Sequence, residues 1–81
     1  MKLTVKFFAV ARDITGKEEI AIAVPDHATP SDVLAALFNE YPRLSQLNEY
    51  LRVAVNWEYV PLGHPLVEND ELAIIPPVSG G

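Results

Sequence analysis

The sequence predicts an α+β domain in which one mixed sheet packs against one main helix. Three observations predict it. Several stretches alternate apolar and polar residues with the period of a half-buried strand. A single stretch carries an apolar stripe at helical spacing behind a clear start signal. And 81 residues suffice for only one small core, which supports two layers.

The elements follow in chain order. Over residues 2–10, Leu3, Val5, Phe7 and Ala9 point one way while Lys2, Thr4, Lys6 and Phe8 point the other, as in a strand with one face buried. Phe8 is the misfit, an aromatic on the polar face. Residues 12–17 (Arg-Asp-Ile-Thr-Gly-Lys) read as a hairpin turn in which Gly16 is free to take a positive φ. Residues 18–24 alternate again, with Ile20, Ile22 and Val24 inward and Glu19, Ala21 and Ala23 outward, until Pro25 breaks the strand.

The helix begins with Thr29 as the cap, Pro30 at the first helical position and Asp32 three residues after the cap. Val33, Leu34, Leu37, Phe38 and Tyr41 form its apolar stripe. Pro42 stops it, because the residue before a proline is pushed out of the α region. Residues 43–50 are ambiguous, and a short helical turn around Leu44 to Leu47 would bury both leucines. Residues 51–56 form a strand with Leu51, Val53 and Val55 inward and Arg52, Ala54 and Asn56 outward. A turn at Asn56-Trp57-Glu58 leads to a short edge strand near Tyr59-Val60. Asn69-Asp70 marks another turn. In the last strand, Glu71 to Ile75, Leu72 and Ile74 point inward and Ala73 and Ile75 outward.

This order of β, β, α, β, short β, β, with a right-handed crossover after the helix, is the β-grasp arrangement. It places the first and last strands side by side at the centre of the sheet. Phe8 and Ile75 then share the uncovered face with Lys6 and Arg52, and Tyr59 lies near them. An apolar patch flanked by positive charge, on a chain of net charge −5, marks an expected partner surface.

The body, residues 1–75, is expected to lead into an extended tail, residues 76–81. Pro76 and Pro77 have no backbone N–H and end the sheet ladder. Val78 and Ser79 follow, then Gly80 and Gly81, which lack a Cβ and can thread a narrow gap. The extended reach is about 20 Å at roughly 3.3 Å per residue. The Gly81 carboxylate is the one reactive group in an unusual setting. It is a poor nucleophile and a poor electrophile until activated, normally as a mixed anhydride with AMP.

Composition narrows the classes further. With 49% hydrophobic residues the chain has enough apolar mass to fold. The absence of cysteine excludes disulfides, thiolate nucleophiles and Cys-metal sites. His27 and His64 are isolated in turns without metal-ligand spacing, so no metal is expected. Glu18-Glu19 and Asp70-Glu71 read as solvated charges. The acidic balance argues against nucleic acid and for basic partner sites. No apolar run has the length of a membrane span and no signal peptide is visible, so no membrane association and a cytoplasmic location are expected.

At this point the residues match a known family. Phe7-Phe8-Ala9, Arg12, Ala54-Val55-Asn56, His64-Pro65-Leu66, Asp70-Glu71-Leu72 and above all Pro76-Pro77-Val78-Ser79-Gly80-Gly81 resemble the small, sulfur-carrying subunit of molybdopterin synthase, a ubiquitin-like β-grasp family. The likeness runs the length of the chain. A terminal Gly-Gly alone would also fit ubiquitin-like modifiers and the thiamin-pathway sulfur carrier; the preceding Pro-Pro-Val-Ser points to the molybdenum-cofactor branch.

The resemblance implies a cycle without a resident cofactor. An ATP-dependent activating enzyme adenylates Gly81, and a persulfide donor converts the adenylate to a thiocarboxylate; both are transient covalent states. The large synthase subunit, in an assembly of two small and two large subunits, then accepts the tail, and sulfur passes to a cyclic pyranopterin phosphate to build the molybdopterin dithiolene. By the same resemblance, Phe8, Tyr59 and Ile75 occupy apolar contact positions toward the large subunit, although Tyr59 and Ile75 stand where that family would have Leu and Phe.

Overall fold

The computed structural model describes residues 1–76; the expected tail residues Pro77, Val78, Ser79, Gly80 and Gly81 lie outside the described residues. Five strands form one sheet: β1 (Lys2–Phe7), β2 (Glu19–Ala23), β3 (Arg52–Val55), β4 (Glu58–Tyr59) and β5 (Glu71–Ile75). Their spatial order is β2-β1-β5-β3-β4. β1 and β5 run parallel, with Val5 opposite Leu72 and Phe7 opposite Ile74, and the other pairings are antiparallel. The first and last strands are adjacent, as the β-grasp reading requires.

The alternation assigns the faces correctly. Leu3, Val5 and Phe7 of β1, Leu72 and Ile74 of β5, and Val53 and Val55 of β3 are all buried on one side. Against them packs α2 (Pro30–Glu40), through Val33, Leu34 and Leu37. Its N-terminus is a complete capping box: the Asp32 backbone N–H donates to Thr29 Oγ1 at 3.4 Å, and the Thr29 N–H donates to Asp32 Oδ2 at 2.9 Å. The helix ends at Tyr41, before Pro42, and the Tyr41 ring meets Phe7 edge-on at 6.2 Å between centroids. The ambiguous stretch is a 3₁₀ segment, Pro42–Tyr50, which buries Leu44 fully and Leu47 partly.

Three expectations are corrected. The β1–β2 connection is not a simple turn but a short helix, α1 (Ala9–Thr15). Ala9 therefore leaves the sheet; it is exposed and takes φ 49°. Gly16 ends this helix at φ 74°, its N–H donating to the Arg12 carbonyl at 2.8 Å, so its left-handed role holds in a different setting. Asp70 and Glu71 are not solvated: Asp70 is only 6% exposed, and half-buried Glu71 pairs with Lys6. Ala54 and Ala73 point to the uncovered face yet are each only 4% exposed, because longer side chains on that face close over them.

Candidate functional site

The face opposite α2 is built by cross-strand register. Lys6 lies opposite Ala73, Ala73 opposite Ala54, and Ala54 opposite Tyr59. One row thus crosses four strands, with two small side chains as its floor and a cation and an aromatic ring at its sides. The neighbouring row, toward the end of β5, pairs Ile75 with Arg52. Phe8 stays extended (φ −126°, ψ 152°) and continues the β1 track to the level of Ile75; it is 38% exposed. The structure therefore brings Phe8, Ile75, Lys6, Arg52 and Tyr59 onto one face, the grouping the alternation predicts.

Each of the two cations on this face lies over an aromatic ring. Arg52 Cζ lies 6.0 Å from the centroid of the Tyr59 ring, and Lys6 Nζ lies 5.3 Å from the Trp57 ring. Lys6 is also 3.4 Å from Glu71 Oε1, so part of its charge is answered within the chain. The face is thus apolar and aromatic with two restrained cations, and less positive than the sequence suggests.

Trp57 is the residue whose role the sequence leaves undecided. β3 and β4 are joined by Asn56 and Trp57 alone, and both have positive φ, 50° and 72°. That is the type I′ hairpin turn, whose twist matches that of the flanking strands. Asn suits the first of these positions. At the second a glycine is the ordinary choice, and the signal for an unusual residue is the Asn-Trp pair between two alternating stretches.

The turn is clamped from behind. Asn56 Nδ2 donates to Asp70 Oδ1 at 2.9 Å, and the Val67 N–H donates to Asp70 Oδ2 at 2.8 Å. Asn56 also exchanges bonds with Glu71: its N–H donates to the Glu71 carbonyl at 2.8 Å, and its Oδ1 accepts from the Glu71 N–H at 3.1 Å. Buried Asp70 thereby locks the β3–β4 turn to the loop before β5.

At the opposite end of the face β5 runs out. A shallow groove there is lined by Glu49, Tyr50, Leu51, Arg52, Tyr59, Ile75 and Pro76. Pro76 is buried, so the chain is held against the body up to the point where the expected Gly-Gly tail departs. His27 lies in the turn between β2 and α2, and His64 in the loop between β4 and β5.

Comparison with known proteins agrees with this fold. The model of the ThiS family matches residues 5–81. A molybdopterin synthase sulfur carrier subunit from Dictyostelium discoideum is 40% identical over 77 residues, covering 91% of this chain and 90% of that protein. The crystal structure of SAMP1 from Haloferax volcanii superposes with a TM-score of 0.88 at 32% identity, with all of both chains covered. A protein–protein complex of subunits 1 and 2 of molybdopterin-converting factor from Helicobacter pylori contains a chain that matches with a TM-score of 0.70 at 28% identity, again over all of both chains.

Proposed function

The chain belongs to the ThiS family, with molybdopterin synthase sulfur carrier subunits among its relatives, and from that premise we propose that it is itself the sulfur-carrying subunit of a molybdopterin synthase. The observation that carries the reading is the course of β5. This central strand brings the chain past an apolar, aromatic face and ends at Ile75, next to buried Pro76, which Pro77-Val78-Ser79-Gly80-Gly81 follow in the sequence. The body is a docking handle, and the reacting atoms are at its end.

In this reading the Gly81 carboxylate attacks the α-phosphorus of ATP in an activating enzyme and pyrophosphate leaves. A persulfide of the donor then attacks the acyl carbon and displaces AMP. A thiol of the donor system cleaves the S–S bond of the resulting acyl disulfide, releasing a thiocarboxylate and leaving a disulfide on the donor. The resulting thiocarboxylate is ionised at neutral pH and is a better nucleophile than a carboxylate, and with no cysteine in the chain no internal thiol competes for the activated carbonyl. Gly80 and Gly81 reach the active site of the large subunit, where sulfur passes to a cyclic pyranopterin phosphate. A site that binds a phosphate and an anionic tail needs cationic groups, which an acidic carrier complements. The chain alone supplies no catalytic acid or base; the activating enzyme and the large subunit supply the chemistry. The complex formed by the Helicobacter pylori relative supports a two-component assembly, for which we propose two small and two large subunits.

A second reading has an observation in its favour, the likeness to SAMP1, a small archaeal modifier protein: Gly81 would be joined to lysines of other proteins. Intact mass spectrometry of the chain purified from a sulfur-replete host separates the two. Replacement of one oxygen by sulfur at Gly81 supports the carrier, and a ladder of heavier conjugates supports the modifier. Neither product, with a cognate activating enzyme and ATP present, overturns both.

A further inference from the structure

We propose that Trp57 is the anchor by which this chain binds the large synthase subunit at the end of the open face farthest from the tail; the inference rests on the carrier reading above. Its basis is a residue that the fold does not use. Trp57 sits at φ 72°, where an L side chain crowds the backbone at an energetic penalty. A buried aromatic would offset that penalty through packing, but Trp57 is 69% exposed. Among the described residues its ring is met by Lys6, whose ammonium rests over it and also pairs with Glu71. The hairpin dictates the positive φ, where a glycine would be unstrained, so a tryptophan kept at this position points to a use for its ring.

The presentation is rigid. Asn56, one residue earlier, is tied to Asp70 and Glu71 by side-chain and backbone bonds, so the ring projects from a locked turn. An aromatic side chain ordered before binding loses little entropy on docking, and Trp, Tyr and Arg are the residues that most often dominate interfaces. All three types stand together here, as Trp57, Tyr59 and Arg52 around the Ala54 and Ala73 floor.

The occupant follows from continuity with the tail. Val55 pairs with Leu72 and Arg52 with Ile75, so the Trp57 turn is level with the start of β5. It lies about 13 Å from the tail exit at roughly 3.3 Å per residue. A partner that swallows the tail meets Phe8 and Ile75 first, and Trp57 gives it a second hold that fixes the angle of the body. The surface that receives the ring is an apolar pocket with a carboxylate at its rim, facing Lys6. A relative already forms a complex of subunits 1 and 2, so the large subunit is the partner of choice.

The test exploits the strain. Trp57→Gly relieves the left-handed penalty and should leave thermal stability equal to or above that of the wild type, so weaker binding cannot be ascribed to misfolding. Affinity for the purified large subunit from the same genome, measured by calorimetry, should fall about tenfold or more. Trp57 is the sole tryptophan of the chain, so a 5-fluorotryptophan label gives one ¹⁹F resonance, which should shift on complex formation. If the wild type binds and Trp57→Gly binds equally well, the anchor is refuted while the carrier reading stands. If the wild type does not bind the large subunit at all, both fall. If the variant loses only its affinity for the activating enzyme, the assignment to the large subunit is wrong.

Discussion

Asp70→Ala should destabilise the protein by roughly 3 kcal/mol, two charge-assisted bonds at the lower end of about 1.5–3 kcal/mol each. The lower end applies because water can reach both donors once the carboxylate is gone: Asn56 and Val67 are exposed residues, although Asp70 itself is buried. The variant strips the acceptor from the Val67 N–H and from Asn56 Nδ2. Domains of this size have total stabilities of about 4–12 kcal/mol at roughly 0.05–0.15 kcal/mol per residue, so the loss is large. The midpoint of thermal unfolding should fall by about 12–24 °C, at roughly 4–8 °C per kcal/mol. Urea unfolding of Asp70→Ala, Asn56→Ala and the double variant closes a cycle, in which a coupling of about 1 kcal/mol is expected for residues in contact. Amide exchange at Val67 and Glu71 should accelerate in the single Asp70 variant. A loss under about 0.5 kcal/mol, the size of an ordinary surface change, or a coupling near zero would refute the claim that Asp70 locks the β3–β4 turn.

Two further outcomes follow from the same structure. The pair Phe8→Ala and Ile75→Ala should keep the circular dichroism spectrum of the wild type and weaken binding to the large subunit; unchanged affinity in a calorimetric titration would remove these residues from the interface. Thr29→Ala breaks the capping box of α2 and should cost about 1 kcal/mol in urea unfolding without altering partner affinity, since the cap lies on the covered side of the sheet.

What the sequence reveals here is what short-range periodicity can carry. The faces of β1, β2, β3 and β5 follow from alternation, and the start of α2 follows from Thr29, Pro30 and Asp32, because each signal lies within a few neighbouring residues. The adjacency of β1 and β5 follows from the order of the elements and the handedness of the crossover. Helix α1 is hidden for a local reason. Its start has no side-chain cap at Phe8 and no acid in the first turn, while Phe8, Ala9 and Val10 prolong the strand pattern. Only Ala11 and Thr15 are buried in it, too few to register as a helical stripe. Asp70 is misread because the residue that explains its burial, Asn56, is 14 positions away. Ala54 and Ala73 belong to the same class: their burial arises from Lys6, Tyr59 and neighbouring strands that meet only in the sheet. The apolar patch itself was legible, since Phe8 and Ile75 break an otherwise regular alternation, whereas the strain at Trp57 is a backbone property that residue types alone do not disclose.

Whether sulfur leaves this chain from Gly81 is decided by a single-turnover reaction. The chain is first thiocarboxylated by its activating enzyme and persulfide donor, then mixed with the large subunit and the cyclic pyranopterin phosphate, and its intact mass is followed over time. The expected result is that the sulfur-bearing species reverts to the carboxylate as dithiolene product forms, with two chains consumed for each dithiolene, while a chain extended beyond Gly81 never acquires sulfur. Product formation by the extended, unprocessed chain, or a thiocarboxylate that persists while dithiolene accumulates, would rule out Gly81 as the sulfur donor.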